Sequence, residues 1–166
     1  REHVVLLSDW TGTDPMRALH MLKTQGDVFN QNRPVMRDLL RDVRSHGLSA
    51  TLRDRDMWNA MRMSPTDLGD LSSSVLTYLV NGSAPGANWT ALFKPGERVR
   101  LRCINGAGNT FYDLRIPGLK LTVVQADGQD VEPVTVDEFR FGPGQTYDVI
   151  VQPRDDAYTL FAQSMD

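Results

Sequence analysis

Cysteine and histidine are scarce in this sequence of 166 residues, which contains one Cys and three His. A single Cys cannot form an internal disulfide, which excludes a small secreted scaffold held together by disulfide bonds. The same scarcity excludes a Cys-rich zinc module, because such a module needs several thiolates at a defined spacing.

An excess of charge of one sign and a long apolar run are also lacking. The 18 basic and 21 acidic side chains give a formal net charge of −3. A mildly acidic chain of mixed sign is a poor partner for phosphate backbones, so we expect no nucleic-acid partner. No apolar run approaches the roughly 20 residues that cross a bilayer, so we expect no membrane span.

Three zones follow one another along the chain. An apolar strand occupies residues 3–10, a helical zone covers residues 14–68, and an all-β zone covers residues 75–163. With 40% hydrophobic residues and this length, we expect a single domain that spans residues 1–166.

The helical zone has clear start and stop signals. Asp14-Pro15 predicts the start of a first helix, because Asp accepts backbone N–H groups there and Pro is tolerated in the first turn. A second helix is expected to begin at Pro34 and end at Gly47, and a third to run from about Ser49 to Met61. Each has one apolar stripe, which is typical of helices that cover a larger body.

The β zone alternates in the manner of half-buried strands. From residue 98 to 103, Arg98, Arg100 and Arg102 point to one side, while the intervening side chains, including Cys103, point to the other. Turn dipeptides separate the strands: Asn81-Gly82, Pro95-Gly96, Asn105-Gly106, Pro117-Gly118, Asp127-Gly128 and Pro143-Gly144. Short strands at regular spacing indicate a β-sandwich or a barrel.

Several motifs of the β zone resemble the middle (second) cupredoxin-like domain of multicopper oxidases. They are Tyr78-Leu79-Val80-Asn81-Gly82, Phe93-Lys94-Pro95-Gly96, Cys103-Ile104-Asn105-Gly106, Leu114-Arg115-Ile116-Pro117-Gly118, Val136-Asp137-Glu138-Phe139 and Pro143-Gly144-Gln145-Thr146-Tyr147-Asp148-Val149. The start of the chain and the third helix are similar to the bacterial copper-resistance protein A branch, through Glu2-His3-Val4-Val5-Leu6-Leu7-Ser8-Asp9-Trp10 and Met61-Arg62-Met63-Ser64-Pro65.

This resemblance implies a mainly β fold, a Greek-key cupredoxin-like β-sandwich with a helical insertion after the first strand. It also implies that the intact protein is a periplasmic multicopper oxidase involved in copper resistance. That protein would oxidise a reducing substrate, with Cu(I) as one candidate, and reduce dioxygen to water. We therefore expect a fragment of a larger multidomain protein, whose partners are the flanking cupredoxin domains of the same chain.

The residues of this segment do not provide a copper site. A blue-copper site needs two imidazoles and a thiolate, and no His follows Cys103 in the sequence. A trinuclear copper cluster cannot be built from His3, His20 and His46; in the family, the flanking domains supply the copper ligands. We predict no catalytic, cofactor-binding or metal-binding residue here, and an inert, buried Cys103. The segment alone is expected to be inactive, with copper present in the intact protein.

Methionine provides the alternative interpretation. The groups Met16, His20, Met21 and Met57, Met61, Met63 carry soft donors that suit Cu(I). The alternative is therefore a Met/His-based module that handles copper or binds a partner. We favour the simpler interpretation, in which these Met side chains fill gaps in a core.

Three further expectations concern packing. The first strand is expected to join the same sheet as the later strands, near residues 146–152. The row of Arg98, Arg100 and Arg102 on one face of its strand, called the arginine row below, is expected to be solvated. Pairing of these residues with acidic groups of a neighbouring domain is the alternative. The predicted core comprises Val5, Leu7, Leu79, Val99, Leu101, Cys103, Phe111, Ile116, Val124, Phe139, Tyr147, Val149, Val151 and Phe161.

Overall fold

The computed structural model describes residues 1–67, 69 and 71–165; Leu68, the predicted end of the helical zone, lies outside them. In chain order the elements are β1 Glu2–Trp10, α1 Pro15–Thr24, α2 Met36–His46, α3 Leu48–Ala60, β2 Thr77–Val80, a 3-10 turn Pro85–Ala87, β3 Val99–Asn105, β4 Tyr112–Arg115, β5 Leu121–Ala126, β6 Gln129–Val136, β7 Glu138–Phe141, β8 Thr146–Val151 and β9 Phe161–Ser164.

The chain forms two compact units. The β unit comprises Arg1–Trp10 and Thr77–Met165, and the helical unit comprises Thr11–Leu76. The described strands all belong to the β unit, and α1, α2 and α3 all belong to the helical unit.

Two sheets make up the β unit. The six-stranded sheet has the order β2-β1-β3-β8-β5-β6, and the three-stranded sheet has the order β7-β4-β9. Apart from the parallel pair β1 and β3, neighbouring strands are antiparallel. The inner faces share one apolar cluster, to which Leu101 contributes from the six-stranded sheet and Leu114 from the three-stranded sheet. This arrangement confirms the predicted β-sandwich.

The first strand joins the expected sheet but lies one strand away from the expected position. β1 pairs with β2 and β3, and β3 separates it from β8 at residues 146–151. Alternation in the sequence determined which side chains of β1 face inward, but alternation carries no information about which strands become neighbours. The predicted position near residues 146–152 is therefore wrong by one strand.

Most of the predicted core is buried. Eight members have at most 6% of their surface exposed, namely Val5, Leu7, Val99, Leu101, Cys103, Ile116, Val149 and Val151. Phe139 and Tyr147 are half-buried and pack against this cluster. Leu79 and Val124 are half-buried but lie outside the cluster. Val124 falls at a register shift between Val123 and Gln125, which interrupts the alternation of β5.

Two predicted core aromatics are exposed. Phe111 is 47% exposed, because the following residue, Tyr112, occupies the inward position and is only 1% exposed. Phe161 is 46% exposed, and the Arg115 guanidinium lies 5.7 Å from the centre of its ring. Both assignments were wrong because a one-residue shift in a strand exchanges its inner and outer faces.

A buried side chain, Asn105, connects the two sheets. Its Nδ2 donates to the Thr110 carbonyl at 2.9 Å and to the Phe141 carbonyl at 3.1 Å, and its Oδ1 accepts from the Ala107 N–H at 3.0 Å. The sequence predicted a turn at Asn105-Gly106, but Asn105 is the last residue of β3 and is completely buried.

The glycines of the other five predicted turn dipeptides have φ between 75° and 85°.

The helical unit has sharp ends and a thin core. The Asp14 carboxylate accepts the Arg17 N–H at 2.8 Å, and Gly47 ends α2 with φ 82°, so both predicted boundaries are confirmed. Helix α2 buries none of its residues. Among the described residues of this unit, the buried ones are Ala18, Phe29, Asn30, Thr51, Ser72 and Leu76. The described part of the chain has no helix long and apolar enough to cross a membrane.

The Asn105 network predicts a large effect of one substitution. Asn105→Ala removes two donated bonds and one accepted bond from buried partners, so the free energy of unfolding should fall by about 3 kcal/mol. Urea denaturation followed by tryptophan fluorescence measures the change. The exposed neighbour Asn109 is the matched control, and Asn109→Ala should change stability by less than about 0.5 kcal/mol. Equal effects of the two substitutions would contradict this role of Asn105.

Candidate functional site

Cys103, the one cysteine of the sequence, lies in the middle of the six-stranded sheet. It is opposite Val5 of β1 and Tyr147 of β8, and none of its surface is exposed. Burial, together with the charge of Asp148, raises the pKa of the Cys103 thiol to about 12. At neutral pH the thiol is therefore protonated, whereas a metal ligand must be a thiolate.

The histidines lie in separate structural settings. The Nε2–H of His3, on β1, donates to the Leu92 carbonyl at 2.9 Å. His20 is exposed on α1. His46 is exposed in the last turn of α2. Among residues 1–67, 69 and 71–165, no three His, Cys, Asp or Glu side chains form a group that could hold a metal ion.

A blue-copper site does not fit the Cys and His side chains of the residues that the structure describes. A blue-copper site needs a thiolate beside two imidazoles, but the Cys103 thiol is surrounded by an apolar cluster. His3 is engaged with a backbone carbonyl at 2.9 Å, and the other two imidazoles belong to the helical unit.

The methionines of the two predicted groups are at the surface. Met16 is 71% exposed, and the values for Met57, Met61 and Met63 are 49%, 47% and 60%. The Met61 N–H donates to the Met57 carbonyl at 3.1 Å, so these two side chains lie one turn apart. The favoured interpretation as core-filling residues is wrong for these four side chains, because the helical unit buries few side chains. Met21 is half-buried.

The arginine row forms ion pairs within the sheet. Arg100 and Arg102 of β3 approach the Asp148 carboxylate of β8 at 2.7 Å and 3.5 Å. The Asp148 side chain is only 8% exposed. Arg102 is 49% exposed, in line with the predicted solvation, and Arg100 is 31% exposed. The pairing itself was not predicted, because the acidic partner lies on the adjacent strand and not in a neighbouring domain. Strand adjacency is a tertiary property that the alternation of β3 did not reveal.

Asp9 has a role that the sequence did not indicate. It lies on β1. Its carboxylate accepts the Gly108 N–H at 3.0 Å and the Thr110 hydroxyl at 2.9 Å. Asp9 therefore anchors the loop between β3 and β4. Both of these hydrogen bonds come from residues of that loop.

A cavity of about 640 Å³ opens between the two sheets of the β unit. Inner-face side chains of both sheets line it, together with the loops 83–93 and 153–160. Trp89, Phe93 and Tyr158 contribute aromatic rings from these loops. Sequence reasoning missed the cavity because loop residues have no periodicity that would show which way they point.

Comparison with solved structures defines the class of this fold. Fet3p, a multicopper oxidase that functions in iron import, matches with a TM-score of 0.62 and 18% identity, over 99% of this chain and 24% of that chain. The blue copper oxidase from Nitrosomonas europaea matches with a TM-score of 0.56 and 16% identity, over 98% of this chain and 36% of that chain. The β unit is therefore a cupredoxin-like β-sandwich of the kind found in multicopper oxidases.

The sequence identifies the family. The multicopper oxidase family matches residues 1–166, and the chain belongs to that family. It is 60% identical to copper resistance protein A of Escherichia coli over 100% of this chain and 27% of that protein. It is 56% identical to a copper resistance protein A homologue of Pseudomonas syringae pv. tomato over 100% of this chain and 28% of that protein. The chain thus spans about a quarter of these curated relatives, and the predicted resemblance is confirmed.

The burial of Cys103 predicts slow reaction with thiol reagents. At about pH 8, near the ordinary thiol pKa, the folded protein should react with a soluble disulfide reagent at least 100-fold more slowly than the same protein in guanidinium. The buried thiol is protonated and shielded from the reagent. Release of the chromophore measures the rate. Equal rates with and without denaturant would contradict the burial of this side chain.

Proposed function

We propose that residues 1–166 form the copper-free structural middle domain of a periplasmic multicopper oxidase involved in copper resistance. The intact protein would take electrons from a reducing substrate, with Cu(I) as a candidate, and reduce dioxygen to water. This chain would hold the copper-bearing domains apart at a set separation and would be inactive alone. The observation that carries the proposal is the complete burial of the single cysteine in an apolar cluster.

The strand pairing in the six-stranded sheet supports a structural role for this domain. β1 is the second strand of this sheet and is paired on both sides, with β2 and β3. A domain joined ahead of β1 would therefore be linked directly to the interior of a sheet, where hydrogen bonds on both sides restrict movement. Such a connection fixes the position of one domain relative to the next better than a flexible linker does.

The outer face of β1 supports contact with another domain. Val4 and Leu6 point away from the core and are 51% and 37% exposed. They lie opposite Arg102 and Ile104 of β3, beside the Asp148 ion pairs. Adjacent apolar side chains edged by charge are typical of surfaces that a protein partner covers.

Replacement of the cysteine tests the copper-free role. In the full-length protein, Cys103→Ser changes one atom of the side chain, sulfur to oxygen, and removes the thiol, so copper per chain and the intense blue charge-transfer band should both stay unchanged. Metal analysis and the visible spectrum measure these quantities. Loss of one copper, or of the blue band, in a variant that remains folded by circular dichroism would contradict the proposal.

The exposed methionines favour a second candidate function, in which the helical unit binds Cu(I) through thioether groups. Met57 lies in the last turn of α3, Met61 follows one turn later just past the end of that helix, and Met63 comes two residues after it; all three are about half exposed. On α1, Met16 and His20 are also one turn apart and exposed. Thioether and imidazole donors at the surface suit a soft, transiently bound cation.

Titration with Cu(I) tests this candidate. If it is correct, the variant with Met57, Met61 and Met63 all changed to Leu should bind Cu(I) at least about tenfold more weakly in competition with a chelator. The pair Met16→Leu and Met21→Leu tests the first group in the same way. The matched control is Met36→Leu, which removes a methionine that is 70% exposed and lies outside both groups. Unchanged affinity in every variant would eliminate the candidate.

A further inference from the structure

Methionine sulfur is concentrated on the surface of the helical unit. Six of the seven Met residues lie in this unit, and Met165 is the one in the β unit. Five of the six, called the surface methionines below, have between 47% and 71% of their surface exposed, namely Met16, Met36, Met57, Met61 and Met63. Methionine is usually among the more buried residue types, so core packing alone does not account for this distribution.

The thiol sulfur of the chain, in contrast, is withdrawn from solvent. None of the Cys103 surface is exposed, and burial raises the pKa of this thiol to about 12. Because the thiolate is the form that oxidants attack, Cys103 reacts slowly at neutral pH. A thioether has no proton to lose before it reacts. Within the described part of the chain, the sulfur atoms that a dissolved oxidant reaches are therefore mainly those of the surface methionines.

Oxidation of the surface methionines is expected to leave the packing of each unit intact. A methionine sulfoxide is polar and disrupts a core when the methionine belongs to that core. No methionine is among the described residues that form the apolar cluster between the sheets. The buried residues described in the helical unit include no methionine either. The surface methionines already contact water, so water solvates the added oxygen.

We propose that the surface methionines are a site of reversible oxidation, at which peroxides are reduced while the fold and Cys103 are preserved. With hydrogen peroxide, the sulfur lone pair attacks one oxygen, an S–O bond forms and the O–O bond breaks. The thioether loses two electrons and becomes a sulfoxide. The departing hydroxide takes the proton of the transferred oxygen and leaves as water.

Exposure also allows the reverse step. Methionine sulfoxide reductases restore the thioether, with one enzyme for each sulfoxide epimer. Two thiols are oxidised to a disulfide in this step, and the sulfoxide oxygen leaves as water. The site goes beyond the proposed function, because it requires neither bound copper nor a flanking domain.

Peroxide treatment of the full-length protein, followed by digestion and mass spectrometry of the peptides, tests the proposal. Met21, which is half-buried on the same helix as Met16, is the internal reference. Each surface methionine should gain one oxygen at least about threefold faster than Met21, while Cys103 stays unmodified. A chelator of free Cu(I) is present throughout, so that copper-catalysed oxidation does not contribute. If the surface methionines react no faster than Met21, or if Cys103 is oxidised before them, the proposal is overturned.

Glutamine, which is polar and similar in length to methionine sulfoxide, tests whether the fold tolerates the oxidised state. In the full-length protein, changing all five surface methionines to Gln should lower the unfolding temperature by less than about 3 °C. The matched control is Met21→Gln, which places a polar group at a half-buried position and should cost more than the average surface change. Thermal unfolding followed by far-UV circular dichroism measures both. A loss of many degrees in the five-residue variant would show that these side chains support the fold, which overturns the proposal.

Reductase treatment tests reversibility. The peroxide-treated full-length protein, still folded, is incubated with both epimer-specific methionine sulfoxide reductases and dithiothreitol. The masses of the peptides that carry the surface methionines should return to their original values. Sulfoxides that are reduced only after the protein is unfolded in urea would show that the enzymes cannot reach them, and the proposed reversible site would be rejected.

Discussion

The hydrogen bonds of the buried Asn105 amide hold the two sheets of the β unit in register. Asn105 ends β3, near the centre of the larger sheet, and donates to the Phe141 carbonyl of the smaller sheet and to the Thr110 carbonyl ahead of β4. Apolar contacts between sheets are non-directional, so they allow sliding that a fully satisfied buried amide does not. The positions of the cavity and of β9 relative to β3 depend on this connection.

The same strand explains why this member of a copper oxidase family is proposed to be copper-free. β3 carries Cys103 towards the core and Arg100 and Arg102 towards Asp148 on the outside. A thiol becomes a ligand when a nearby cation or an exposed setting favours the thiolate. Here burial and a carboxylate both favour the protonated form, so the strand acts through packing and ion pairing. The helical unit differs: its core is thin, and it presents methionines to solvent.

Local features of the sequence predicted local features of the structure. The Asp14 cap, the end of α2 at Gly47 and five of six turn glycines need only neighbouring residues, and each was found as expected. For the candidate site, the sequence predicted only that a blue-copper ligand set is missing, because no His follows Cys103. Its positive features were missed, since the Asp148 pairing, the anchor at Asp9 and the cavity join residues far apart in the chain.

Composition and alternation alone determined that this chain is mainly β and that Cys103 faces inward. Those properties depend on residue type and on the two-residue period of a strand. Only the tertiary structure decided that β1 pairs with β3, that Phe161 faces outward and that six strands oppose three. Strand order and register arise from competition among many similar pairings, and the free energies that separate these pairings come from contacts across the whole domain.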